Sequence, residues 1–110
     1  MPVRRKGRRY LRIRVESPRG FTAKEVINSV QRGILEIHGV QGLSQIEPVL
    51  LEFDEEDQRG ILRCNRDRVS EARAAITLVT AIEGTPAAMH VIRVSGTIRS
   101  LRREVETCKE

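Results

Sequence analysis

Arginine alternates with apolar residues at three places in the sequence. Arg12 and Arg14 lie within Leu11-Arg12-Ile13-Arg14-Val15, Arg63 within Ile61-Leu62-Arg63-Cys64, and Arg93 within Val91-Ile92-Arg93-Val94. Alternation of this kind marks a half-buried strand, because successive side chains point to opposite faces. With Leu11, Ile13, Leu62, Ile92 and Val94 turned to a core, the four arginines share the other face of one sheet. The guanidinium is a planar fork of donors that matches phosphate oxygens, so a row of them suits a nucleic-acid backbone. A solvated antiparallel face also carries charge as a matter of course. What favours the binding reading is the company: Arg4, Arg5, Lys6, Arg8 and Arg9 precede the first of these segments.

A second constellation follows Arg93. Ser95-Gly96-Thr97 leads into Ile98-Arg99-Ser100-Leu101-Arg102-Arg103, the opening of an expected short helix. Ser95 or Thr97 can cap that helix, and Gly96 lets the backbone come close to a ligand. Arg99, Arg102 and Arg103 then fall in the first turns, where cations oppose the helix dipole. A phosphate docked at the same end would reverse that penalty. The other reactive residue types are not arranged for chemistry. Asp54-Glu55-Glu56-Asp57 lacks the alternating ligand spacing of a calcium loop and reads as a solvated turn. His38 and His90 have no partner at metal-ligand spacing, and Cys64 reads as a buried strand residue. No nucleophile–base pair can be argued. The expectation is a chain without a catalytic residue, a metal or a cofactor of its own.

Of the 110 residues, 20 are Lys or Arg and 15 are Asp or Glu, for a net charge of +5. Seventeen of the cations are Arg, and their distribution matters more than their number. Residues 1–20 carry +7, residues 21–58 carry −6, residues 59–103 carry +6 and the last seven carry −2. Two basic blocks separated by an acidic one can meet on a single surface once the chain folds. Tyr10, Phe21 and Phe53 are the only aromatic residues. That is too few for a base-stacking platform, on which each base contributes about 1–3 kcal/mol. Recognition of shape and phosphate is what remains. No apolar run approaches the roughly 20 residues of a membrane span. Two cysteines, Cys64 and Cys108, make no disulfide framework, so a cytoplasmic setting away from membranes is expected.

These segments need a scaffold. Residues 1–8 read as a flexible basic arm, 9–106 as one α+β domain and 107–110 as a tail. The alternating residues 9–16 predict a strand, and Ser17-Pro18-Arg19-Gly20 a turn. Thr22 and Glu25 form a capping box for a helix whose stripe runs Ala23, Val26, Ile27, Val30, Ile34 and Ile37, ending at Gly39 or Gly42. A strand over 46–54 places Val49, Leu51 and Phe53 on one face, and a hairpin joins it to a strand over 58–65. Asn65 or Asp67 then caps a helix over 68–83 that Gly84-Thr85-Pro86 stops. A strand over 88–95 and a helix to about residue 106 complete the chain. The order βαββαβ plus a C-terminal helix predicts a ferredoxin-like, RRM-like fold with a four-stranded antiparallel sheet.

Two groups of proteins with that fold fit poorly. The RNA-recognition motif carries stacking aromatics on its third strand, whereas Arg59-Gly60-Ile61-Leu62-Arg63-Cys64-Asn65 keeps only the basic-Gly pair. Gly39-Val40-Gln41-Gly42-Leu43 is similar to the Gly-x-Val-Gln-Gly-Val loop of the acylphosphatases, small phosphoryl-transfer enzymes. Their loop precedes the first helix and leads into a catalytic Arg. Here it follows the helix, and Ser44-Gln45 stands in that place. A ferredoxin-like protein-interaction or ligand-sensing module is the remaining alternative.

Ile92-Arg93-Val94-Ser95-Gly96-Thr97-Ile98-Arg99 resembles the signature of the archaeal and eukaryotic ribonuclease P protein component 2 family. Arg9-Tyr10-Leu11, Gly60-Ile61-Leu62-Arg63-Cys64 and Arg66-Asp67-Arg68-Val69 agree with it, so the resemblance spans about residues 8–103. A long C-terminal extension carried by some members is lacking. The resemblance implies a non-catalytic RNA-binding subunit of the ribonucleoprotein that removes 5′ leaders from precursor tRNA. It further implies that the RNA component is the catalyst, with Mg²⁺ at the RNA active site. Component 3 would be the protein partner in a heterotetramer with two copies of each, and contact with precursor tRNA would be indirect.

Overall fold

A computed structural model describes residues 7–99 and Leu101. Arg4, Arg5, Lys6, Arg102 and Arg103 lie outside the described residues, as do the end of the expected C-terminal helix and the tail. Eight elements follow in order: β1 (Arg8–Glu16), α1 (Ala23–Ile46), β2 (Val49–Asp54), β3 (Arg59–Asn65), α2 (Val69–Thr77), β4 (Ala81–Ile82), β5 (Thr85–Pro86) and β6 (Ala88–Ser95). Four strands form one antiparallel sheet in the order β2-β3-β1-β6, and β4 and β5 form a separate hairpin. This is the expected βαββαβ arrangement. Leu11, Ile13, Val15, Leu62 and Met89 from the sheet share a core with Val26, Val30 and Ile34 of α1 and with Ala72 and Ile76 of α2.

The α1 cap forms as expected. The Thr22 hydroxyl accepts from the Glu25 backbone N–H at 3.2 Å, and the Glu25 carboxylate accepts from the Thr22 N–H at 3.0 Å. The helix does not end at Gly39 or Gly42, however. Gly39 breaks the path with a φ of +74°, after which helical backbone resumes to Ile46. Ile46 is fully buried, and the left-handed Glu47 closes the helix with its N–H on the Leu43 carbonyl at 3.0 Å. One more turn thus brings another apolar side chain into the core.

Three further expectations need correction. The second helix stops at Thr77 instead of continuing to residue 83. Glu83 and Gly84 take φ of 49° and 78°, and two consecutive left-handed residues make a tight hairpin turn between β4 and β5. Ile82 is buried from a strand; its spacing satisfied the helical period by coincidence. Neither Asn65 nor Asp67 caps α2, since a 3-10 turn over Arg66–Arg68 leads into it without a side-chain cap. Asn65 instead sits fully buried, accepting from Arg8 and donating to the Gln45 carbonyl.

The third correction concerns strand phase. Pairing shifts register between Leu50 and Glu52, so Leu50 and Phe53 pair with Leu62 and Gly60 on the core side. Val49 pairs with Arg63 on the other face, and Leu51 is the extra residue, 37% exposed. A similar shift on β6 turns Val91 toward the core in place of Ile92. Bulges of this kind are frequent at sheet edges, and β2 and β6 are the two edges.

Candidate nucleic-acid interface

The register sets three rows across the outer face of the sheet, away from α1 and α2. Tyr10 lies between Arg63 and Ser95, Arg12 between Ile61 and Arg93, and Arg14 between Arg59 and His90. The four arginines expected to share a face therefore do so. Arg93 is exposed; Arg14 and Arg63 are half-buried, and the Arg63 Nε is buried without a hydrogen-bond partner. Arg59 joins the face and was not anticipated. The spacing of Arg59, Ile61 and Arg63 carried the signal, since the first and last of an alternating triplet point the same way.

Arg12 is the exception within this group. It is 8% exposed, and its Nη2 donates to the Leu101 carbonyl. Its cross-strand neighbour Ile61 is also buried, although the helical layer lies on the opposite face. Leu101 therefore lies against the outer face, where its carbonyl takes up the Arg12 guanidinium.

The sheet is also polarised along its strands. β1 begins, and β3 and β6 end, at one edge of the domain. Arg8, Arg9, Arg66, Ser95, Gly96, Thr97 and Arg99 gather there from three separate stretches of sequence. The Arg66 N–H donates to the Gly7 carbonyl at 3.0 Å. The Arg9 guanidinium lies over Gly96, with its Nη1 3.6 Å from where a Cβ would stand. The Ser95 hydroxyl accepts from the Thr97 N–H at 3.2 Å, shaping the backbone before the helical residues Ile98 and Arg99. Arg8 is engaged otherwise, with Glu47 at 2.9 Å and with Asn65.

The opposite end of the sheet holds the acidic β2–β3 turn. There Asp54 Oδ1 accepts from the backbone N–H groups of Glu56 at 2.9 Å and Asp57 at 3.3 Å. Glu16 beside it pairs with His90 at 2.9 Å. Acidic side chains thus gather at the end of the sheet away from Arg9 and Arg99, with Arg14 and Arg59 in the row beside them.

Other singled-out residues take structural places. Gly39-Val40-Gln41-Gly42-Leu43 lies within α1 at its kink, away from the segment joining β1 to α1. Cys64 is fully buried on the core side of β3, and desolvation pushes its thiol up to about 11. The Glu25 carboxyl is held below its usual range by the hydrogen bond from the Thr22 backbone, with Arg19 adding to the effect.

A ferredoxin-like sheet with an arginine-lined outer face and a Ser-Gly-Thr turn at its basic end is matched, over residues 9–106, by the Rpp14/Pop5 family, to which this chain belongs. Its relatives carry a specific name. The chain is 38% identical to the ribonuclease P protein component 2 of Thermococcus gammatolerans over 103 residues, covering 94% of this chain and 86% of that protein. Identity is 36% to the component 2 of Pyrococcus furiosus, with the same coverage. For the component 2 of Methanocaldococcus jannaschii it is 32% over 101 residues, covering 92% of this chain and 74% of the relative. The backbone also superposes on a chain in the cryo-EM structure of yeast ribonuclease MRP with a TM-score of 0.71, covering 98% of both at 13% identity, which shows the shared fold.

Proposed function

We infer that this chain is the component 2 protein subunit of ribonuclease P and that it supports the RNA component during removal of 5′ leaders from precursor tRNA. The single observation that carries the RNA-binding reading is the convergence of arginines from β1, β3 and β6 on one face and one end of the sheet. Membership in the family supports the assignment to the enzyme. The contacts are phosphate contacts in this reading: Arg9, Arg14, Arg63, Arg93 and Arg99 supply them, with Arg4, Arg5, Lys6, Arg102 and Arg103 adding charge. Ser95, Gly96 and Thr97 shape the turn that presents Arg99. Arg8 contributes what its pairing with Glu47 and Asn65 leaves over.

Chemistry belongs to the RNA in this reading, and Mg²⁺ to the RNA active site. Among the described carboxylates, Asp54 is committed to its turn, Glu25 to its cap, and Glu16, Glu47 and Glu71 to ion pairs. Component 3 is the protein partner, in a tetramer of two copies each, and the cytoplasm is the site of action. Reconstitution tests the whole proposal. Adding this chain with component 3 to the RNA component should raise precursor-tRNA cleavage at low Mg²⁺, and no change in cleavage refutes it. The interface is tested separately by the salt dependence of RNA affinity. Alanine at Arg14, Arg63 or Arg93 should each flatten the log–log slope by roughly 0.7–0.9, and unchanged slopes for all three would remove the outer face from the site.

A further inference from the structure

Arg12 occupies the centre of the outer face, where alternation alone assigns it to phosphate, yet it is almost entirely buried and donates to the Leu101 carbonyl. Leu101 is fully buried as well. Ile61, directly across from Arg12, is buried with 5% exposure, and neither apolar residue belongs to the core between the sheet and the helices. A second, smaller buried contact therefore exists on the outer face, with Arg12 at its polar centre. A guanidinium keeps its charge at any working pH, and a charged donor on a carbonyl forms a stronger, more directional bond than a neutral one. Leu101 so held follows the segment that carries Arg99 and whose Gly96 meets Arg9.

We propose that Arg12 is a positioning residue and not a phosphate ligand: its bond to the Leu101 carbonyl fixes Leu101, and with it the turn at Ser95–Arg99, against the sheet and thereby sets how Arg99 meets RNA. This rests on the RNA-binding reading above. The buried guanidinium cannot reach a phosphate without abandoning Leu101, whereas Arg99 is exposed. The outer face then works in two parts: Arg14, Arg63 and Arg93 present charge directly, and Arg12 acts through the backbone of the following segment.

The test has two arms. The first needs no RNA: hydrogen exchange of the free chain, comparing wild type with Arg12→Met, which keeps an aliphatic stem, and Arg12→Lys, which keeps a charged donor. In Arg12→Met the amides of Thr97, which donates to Ser95, and of the buried Leu101 should exchange at least ~10-fold faster while those of β1 and β3 keep their rates; Arg12→Lys should restore part of the protection. Equal protection in wild type and Arg12→Met overturns the proposal. The second arm measures affinity for the ribonuclease P RNA against salt concentration, in wild type and in a chain with Arg99, Arg102 and Arg103 all changed to Ala. Arg12→Met should flatten the slope in the first background and leave it unchanged in the second. A further flattening of roughly 0.7–0.9 in the second background identifies Arg12 as a direct phosphate contact and overturns the proposal. If the wild-type chain fails to bind the RNA, the RNA reading falls, and hydrogen exchange still decides whether Arg12 holds the segment.

Discussion

Arg12 and Arg93 stand opposite each other across β1 and β6, and a one-residue slip in the pairing puts them there. Before the slip Val91 pairs with Ile13 on the core side; without an extra residue the next odd position, Arg93, would also point inward. Ile92 absorbs the difference, so Arg93 returns to the outer face and Ile92 is 49% exposed. Like charges directly across a strand pair repel, and the Arg12 guanidinium is turned to the Leu101 carbonyl.

The slip makes a sharp prediction about two neighbouring apolar residues. Ile92→Lys should change stability by less than about 0.5 kcal/mol, as an exposed edge substitution does. Val91→Lys, which drives a charge toward the core, should cost more than about 2 kcal/mol. Urea denaturation of the two variants checks this, and the reverse order would show that β6 pairs without a bulge.

Gly60 offers a second test. A Cβ there would lie 2.5 Å from the Glu52 carbonyl oxygen and 2.9 Å from Phe53 Cδ1, so even one methyl group displaces backbone. Gly60→Ala should therefore destabilise the domain by about 1–3 kcal/mol, the range for overpacking a tight site. Gly84→Ala and Gly39→Ala have open space around them and suffer only the strain of positive φ. Thermal unfolding of the three variants separates a steric from a conformational cost.

Period and alternation made the main architecture legible, but they cannot count an extra residue inside a strand. Leu11, Ile13 and Val15 declared their face because β1 is regular throughout that stretch; Val49, Leu51 and Ile92 misled because each sits at or beside a register shift. The end of α2 was hidden for another reason. Val79 and Ile82 continue a helical spacing, and only the left-handed pair Glu83-Gly84 makes the chain turn back as a hairpin. On the candidate site, alternation found Arg12, Arg14, Arg63 and Arg93 as co-facial, yet nothing local to Arg12 announces a carbonyl 89 residues away.

Gln58 shows the same limit and yields a third prediction. In a left-handed conformation of φ 54°, it accepts from the Phe21 N–H at 2.9 Å and donates to the Phe21 carbonyl at 3.0 Å and the Glu55 carbonyl at 2.7 Å. One side chain thus ties the β2–β3 turn to the entry of α1. Gln58→Ala should cost about 1–3 kcal/mol, because the Phe21 groups it leaves behind are partly buried. Gln58→Gly relieves the backbone but loses the same bonds, so it should recover only a part of that loss. Full recovery with Gly would mean that the strain, not the hydrogen bonds, dominates.

Glu25 predicts a pH dependence with a definite sign. Its carboxyl, accepting from the Thr22 backbone, ionises below its ordinary value of 4.5 in the folded chain. A depressed carboxylate stabilises the fold above the unfolded value, and the contribution disappears as pH falls through the lower folded value. Gln can accept the same hydrogen bond without the charge. Melting temperatures of wild type and Glu25→Gln should therefore differ at neutral pH in favour of wild type, begin to approach each other near pH 4.5 and converge as the pH falls through the lower folded value. A constant difference across that interval would show that charge is not the source.

Cys64 shifts in the opposite sense, and the consequence falls at the alkaline end. Burial raises its thiol from 9.0 to about 11, so the folded chain retains a proton that the unfolded chain gives up. The resulting stability is fully present below about pH 9.0 and is lost progressively as pH rises toward 11. Other groups titrate in the same range, so the comparison is between Cys64 and Cys64→Ala, both in a Cys108→Ser background. The stability difference between them should narrow or move toward the alanine variant from pH 8 to 10, about one unit either side of the free thiol's 9.0. Because the thiolate is the nucleophile, the folded Cys64 should also react with a disulfide reagent at pH 8 far more slowly than the urea-unfolded chain does. Equal labelling rates in the folded and unfolded chains would place Cys64 in contact with solvent and overturn its assignment to the core beside Leu62 and Ile76.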